Sequence, residues 1–329
     1  MAEGIVMGID GGNSTSRVVL ADTKGRVLGY GKSGPASADG VDVESAANHI
    51  REAVYAAWLD AGERPQPVSA SFWGMAGVVS DPDRDLIREI VLGLQISDPK
   101  FISIDHDIRI ALSGGLGNMP GIALIVGTGC SCYGRTQAGD SVRVGGWGHL
   151  LDDGGSSYFL GLEAIKKVVR SADGRCGVTS LTDVILNHYG IQDVQEIMNQ
   201  VYVKGAGKVD IAALAPLVLA EAQRGDSIAN TIVSTAFEEL TTLVKVASDR
   251  LQIKNDEKKL VVTGGLAHSG DFFKNGLYRA IRSQVPDIQI TEPLLPPVLG
   301  AVLLALEMID PRPSADFIPL LLQSGHRIK

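Results

Sequence analysis

The stretch Ile5-Val-Met-Gly-Ile-Asp10-Gly-Gly-Asn-Ser-Thr-Ser16-Arg-Val-Val-Leu-Ala21 decides the fold. Two short apolar runs flank a turn of glycines and small hydroxyls, which reads as a strand, a tight loop and a second strand returning antiparallel. Asp22-Thr-Lys-Gly25 is the next turn and residues 26–30 a third strand, so the chain opens on an antiparallel meander. Because the loop joins strand to strand, it is neither a GxxxxGK[ST] phosphate loop before a helix nor a GxGxxG dinucleotide turn. It offers glycine N–H groups, hydroxyl donors and one carboxylate, Asp10, suited to Mg²⁺.

Working outward, apolar spacing predicts a helix over 41–61 stopped by Gly62, a strand over 68–75, a helix over 84–94 and a buried strand over 101–104. That strand ends at Asp105-His-Asp107. The pattern then restarts: an apolar strand over 121–126 runs into Gly127-Thr-Gly-Cys-Ser131, followed by a second strand, the turn Ala138-Gly-Asp140 and a strand over 142–144. Helices follow, including an amphipathic one over 227–251. A strand over 259–263 leads into Gly264-Gly265, then come a helix near 271–283, a strand over 288–291 and a last helix from 298. Meanders alternating with βα units in two similar halves predict two α/β domains around a cleft.

Composition sets the bounds. A length of 329 residues with 45% hydrophobic content fits about two domains. Thirty Lys+Arg against 38 Asp+Glu leave a net charge of -8, which argues against nucleic acid or an anionic membrane as the partner. Cys130, Cys132 and Cys176 form no CxxC pattern, so free thiols in a reducing compartment are expected. No basic segment followed by an apolar run opens the sequence, and the longest apolar stretch, 298–309, carries Glu307 and is too short for a bilayer. A soluble, cytoplasmic protein is expected.

Asp107 directly follows a buried strand, where such folds open into their clefts. A carboxylate there can take the proton of an attacking hydroxyl, or it can cap the helix expected from Ile108. Strand alternation turns Asp105 to the opposite face. Gly145-Gly-Trp-Gly-His149 and Asp152-Asp-Gly-Gly-Ser156 let backbone approach a polar ligand, and an Asp there can hold two sugar hydroxyls. Trp147 is expected in the core. His106 and His149 lack a metal-ligand partner at helical spacing and read as structural, while Cys130 and Cys132 share a strand face.

These passages, with Thr263-Gly-Gly-Leu266 and Pro296-Pro-Val-Leu-Gly-Ala301, resemble the BadF/BadG-type branch of the actin/hexokinase/Hsp70 superfamily, most closely its N-acetylglucosamine kinases. The resemblance runs from Gly8 to about Ala305. It implies an α/β fold of two actin-like (ribonuclease H-like) domains flanking a nucleotide cleft. These would be residues 1–118 and 119–297, the second with a helical insertion, and the end of the chain, 298–329, would pack back on the first. It implies a homodimer that uses ATP and Mg²⁺ to phosphorylate the 6-hydroxyl of a small amino sugar, N-acetylglucosamine or glucosamine. Asp10 would hold the metal, and Gly11, Gly12, Asn13 and Ser14 the phosphates, with Thr128 opposite. Gly264, Gly265 and Ser269 would border the adenosine, and Ala212 would touch the nucleotide. Asp107 would be the general base. Ser37, Cys130, Ser131, Gly146 and Asp153 would join Asp107 in binding the sugar.

Three departures from the family pattern all fall on the sugar side. Gly154 stands where the family has Glu, Cys130 where it has Ser, and Ser37 where it has Asn. Two alternative readings stand beside it: an ATPase activator of the acyl-CoA reductase or dehydratase type, which the same branch includes, and a non-catalytic sugar sensor.

Overall fold

The computed structural model describes residues 4–37, 42–253, 258–310, 316–325 and 328. In chain order its strands are β1 (Ile5–Gly11), β2 (Ser16–Asp22), β3 (Val27–Ser33), β4 (Ala70–Met75), β5 (Ile102–His106), β6 (Gly121–Val126), β7 (Cys130–Arg135), β8 (Ser141–Gly145), β9 (Lys259–Thr263) and β10 (Gln289–Thr291). The helices are α1 (Val43–Asp60), α2 (Asp81–Gly93), α3 (Asp107–Leu116), α4 (Ser157–Ala172), α5 (Leu181–Tyr189), α6 (Lys208–Ala212), α7 (Ala215–Gln223), α8 (Ser227–Leu251), α9 (Asp271–Gln284), α10 (Pro297–Glu307) and α11 (Phe317–Ser324).

The chain divides into two compact units, one made of residues 1–119 with 292–329 and the other of 120–291. Each is built on a five-stranded sheet, ordered β3-β2-β1-β4-β5 in the first and β10-β9-β6-β7-β8 in the second. Read from opposite ends these are one topology: an antiparallel meander whose first strand pairs parallel with the next βα strand. The repeat expected from the sequence is therefore a repeat of topology, although residue identity between the halves is weak.

In the first unit, Met7, Ile9, Val18 and Leu20 line one sheet face with Ile50, Val54 and Trp58 of α1. Val6, Val19 and Phe72 line the other face with the nearly all-apolar α10. Helix α10 crosses α3 at backbone contact. A Cβ on Gly300 would lie 2.0 Å from the Ile110 carbonyl oxygen and 2.4 Å from the Gly114 nitrogen. Only glycine permits that approach, and it holds α3 in place behind the strand ends. In the second unit, α4, α7, α8 and α9 enclose Ile122, Leu124, Val126, Leu260 and Val262.

Two helix starts differ from the sequence reading. Helix α2 begins three residues before the expected 84, because Ser80 and Asp83 form a capping box with Pro82 in the first turn. Helix α3 begins at Asp107 itself. His106 is its N-cap, with Nδ1 accepting the Arg109 N–H at 3.2 Å, so Asp107 does not cap the helix. The start expected at 41 lies outside the described residues; α1 is capped by Asp42. Trp147 also departs from expectation, since it is 71% exposed and not in the core. The glycines around it, Gly145, Gly146 and Gly148, all take positive φ and carry the loop outward. Among the described residues no helix is long and apolar enough to cross a membrane.

Candidate active site

In the first unit, Asp10 lies at the end of β1, in register with Gly74 of β4 and through it with Asp105 of β5. Asp105 is committed elsewhere. Its carboxylate pairs with Arg109 at 2.6 Å and Arg84 at 3.4 Å and accepts the His106 N–H at 2.9 Å. Burial opposes its charge, yet the neighbouring His106 and Arg109 hold it below the usual carboxylate range. Asp107, one residue past the strand, is half-buried and close enough to Asp10 for the two charges to repel. Burial, and then the Asp107 charge, push Asp10 up to about 7 against the pull of Arg17, which lies 3.6 Å away.

That shift has a consequence for stability. Asp10 binds its proton more tightly folded than unfolded, so its contribution falls as pH rises from about 4 to about 7 and is least favourable above that. The Asp10→Asn variant is expected to melt above wild type at pH 8, with the gap shrinking steadily toward pH 5 in calorimetry. A gap independent of pH would refute this origin.

The loop after Asp10 is closed by Gly12 N–H to Thr15 O at 3.0 Å, leaving Asn13 and Ser14 exposed. Gly12 also accepts the Ala36 N–H at 3.1 Å, which draws the 34–37 segment alongside. Ser37 at its end is fully buried. Asp10, Gly11, Gly12, Asn13, Ser14, Ser37 and Asp107 thus all belong to this unit.

In the second unit the Gly127–Gly129 loop sits on the start of α4, whose Ser157 and Tyr158 N–H groups donate to the Gly127 and Thr128 carbonyls. Thr128 is half-buried there. Gly264, at φ 103°, turns the chain against the Val126 carbonyl, and Gly265 follows beside Gly127. Ser269 closes the next turn by donating to Leu266 O at 2.7 Å. Ala212 is buried on the face of α6 in the core of this unit.

Asp153 is the most constrained residue of the passage. It is 3% exposed and holds φ at 68°, a left-handed conformation costing an L residue on the order of 1 kcal/mol. Its Oδ1 accepts the Cys130 N–H at 3.0 Å, and its carboxylate lies against Gly129. Cys130 donates its thiol to Gly154 O at 3.1 Å, and burial followed by the charges of Asp153 and Asp152 pushes that thiol well up. Ser131 meets Gly146, whose carbonyl accepts from Arg143 at 2.5 Å. His149 stacks edge-on with Tyr158 at 4.9 Å, consistent with a structural role.

Two residues escaped the sequence reading. Lys208 of α6 places Nζ 3.2 Å from Asp153 Oδ2. Nothing near it in sequence signals this, since a lysine at the start of a short helix reads as solvated. Glu239 of α8 lies 3.0 Å from where a Gly154 Cβ would stand, filling the space of the side chain absent at 154. No motif marks it either, since Glu239 stands beside Glu238 on the exposed side of α8.

The sequence model of the BadF/BadG/BcrA/BcrD ATPase family matches residues 7–305. An N-acetylmuramic acid/N-acetylglucosamine kinase of Clostridium acetobutylicum is 30% identical over 305 residues, 93% of this chain and 99% of that one. An N-acetyl-D-glucosamine kinase of Dictyostelium discoideum is 32% identical over 317 residues, again 93% and 99%. The crystal structure of a candidate N-acetylglucosamine kinase from Chromobacterium violaceum superposes with a TM-score of 0.74 at 24% identity, covering 93% of this chain and all of that one.

Proposed function

Because the chain belongs to the BadF/BadG/BcrA/BcrD ATPase family, we propose that it is an ATP-dependent amino sugar kinase, moving the γ-phosphate of MgATP to the 6-hydroxyl of N-acetylglucosamine or glucosamine. The observation that carries the reading within the site is the contrast between two carboxylates two residues apart. Asp105 pairs with Arg84 and Arg109, and Asp107 lies close enough to Asp10 at the strand ends for their charges to repel. Asp107 takes the proton of the 6-hydroxyl as that oxygen bonds to the γ-phosphorus and the bond to the ADP oxygen breaks.

The residues fit a divalent cation. Two carboxylates that repel one another in a largely buried place, one of them pushed toward its neutral form, are relieved by a positive charge between them and the phosphates. Among the described residues no three His, Cys, Asp or Glu side chains gather as a metal cage, which suits Mg²⁺ held by one carboxylate, water and phosphate oxygens. When bound, Mg²⁺ neutralises charge on the transferring phosphate. Asp10 would hold it, with Gly11, Gly12, Asn13 and Ser14 offering N–H and hydroxyl donors to phosphate. Thr128, Gly264, Gly265, Ser269 and Ala212 are assigned to the nucleotide. Ser37, Cys130, Ser131, Gly146 and Asp153 are assigned to the sugar. A cytoplasmic homodimer completes the proposal.

The activator alternative needs thiolates for a cluster. Cys130 and Cys132 are both buried, and burial raises both thiols, the reverse of what ligation asks. The deciding experiment is ADP release with MgATP against N-acetylglucosamine, glucosamine, N-acetylmannosamine, N-acetylmuramic acid and glucose. One amino sugar is expected to raise the rate far above the no-sugar baseline. Silence across the panel, with ATP still bound, would overturn the kinase reading.

A further inference from the structure

Asp153 is a buried carboxylate in a left-handed conformation, and its second oxygen takes no hydrogen bond. The Lys208 ammonium lies 3.2 Å from that oxygen, off the direction of a hydrogen bond. A buried carboxylate left this way is costly unless something uses the open acceptor.

The placement of Lys208 is built into the fold. Ser156, three residues after Asp153, caps α4 by accepting the Phe159 N–H at 3.1 Å, so Asp153 is tied to the start of that helix. Five residues into α4, Gly161 lets α6 lie against it backbone to backbone: a Cβ there would stand 1.9 Å from the Ile211 carbonyl oxygen. Lys208 is the first residue of α6, three before Ile211, and from that anchored turn its side chain returns toward Asp153 while only 24% exposed.

We propose that Lys208 is a positioning residue, its ammonium holding the Asp153 carboxylate in the orientation that receives sugar hydroxyls. The inference rests on the kinase reading and on the assignment of Asp153 to the sugar. Lys208 balances the buried charge without occupying the hydrogen-bonding direction of Oδ2, so the acceptor stays open for a hydroxyl. A merely structural ion pair makes a different forecast, because replacing one charge of a buried pair by an apolar group is felt in stability and not selectively in one substrate.

The test is steady-state kinetics of Lys208→Met and Lys208→Arg with the sugar that the panel identifies, alongside thermal melts. Lys208→Met is expected to raise KM for the sugar about tenfold or more, with KM for MgATP little changed; tenfold corresponds to about 1.4 kcal/mol. Lys208→Arg, which keeps the charge, is expected to recover most of the loss. The inference is overturned if a folded Lys208→Met keeps the wild-type sugar KM, if KM for MgATP rises in parallel, or if Arg does not restore sugar affinity. Should Lys208→Met not fold, Lys208→Arg and Lys208→Gln carry the same comparison, and equal sugar KM in those two overturns it. A wild-type protein silent with every sugar marks failure of the kinase reading, and the inference falls with it. An active wild type with an indifferent Lys208 marks failure of the inference alone.

Discussion

Asp107→Asn is expected to lower kcat by about 10²–10⁴, the usual worth of a positioned general base, while MgATP affinity stays close to wild type. The amide keeps the size of the side chain at the first turn of α3 but cannot accept the hydroxyl proton. It also removes one of the charges that push Asp10 up, so the phosphate side gains no new repulsion. Single-turnover phosphoryl transfer together with calorimetric ATP titration separates the two quantities. A variant that retains near-wild-type kcat would remove Asp107 from the base role. One that loses ATP binding would move Asp107 to the nucleotide side.

The second large effect is on stability. Gly300→Ala places a methyl 2.0 Å from the Ile110 carbonyl oxygen, where backbone cannot yield without parting α3 from α10. Overpacking of this kind typically costs about 1–3 kcal/mol and occasionally more. At about 2–4 °C per kcal/mol for a unit of this size, the melting temperature should fall by roughly 2–12 °C. Gly93→Ala is the matched control, because its Cβ would meet nothing within 4 Å. Replacing that glycine is expected to be neutral or slightly stabilising. Since α3 carries Asp107 at its first residue, Gly300→Ala is also expected to lose activity in protein that is still folded. Equal melting temperatures for the two variants would refute the close-contact account.

Much of this was legible in the sequence because it is written in short-range signals. Apolar runs bounded by glycine turns mark the strands, and the limits expected for helix 227–251 and strand 259–263 are the observed ones. Helix starts were less legible where a cap decides them, as at Ser80 and His106, because the cap lies outside the periodic run. The loops bearing Asp10 and Gly127 stood out by composition alone. Trp147 runs against its sequence signal, because side-chain apolarity argues for burial, whereas three positive-φ glycines beside it direct the backbone outward. Lys208 and Glu239 could not be assigned from motif, since their relevance comes from α6 and α8 arriving beside a loop dozens of residues earlier. Such long-range meetings are set by packing, which a linear pattern does not record.

The contact of α10 with β1 and α3 has a consequence for how the protein is made. The first sheet buries Val6, Val19 and Phe72 beneath Ile110 of α3 and, for the greater part, beneath residues that come after the whole second unit. On a ribosome, then, the amino-terminal sheet emerges early but waits with an apolar face open, while residues 120–291 can complete their own core without it. The half synthesised first finishes last, and that waiting face is where a chaperone would bind and where a chain cut short before residue 292 would aggregate.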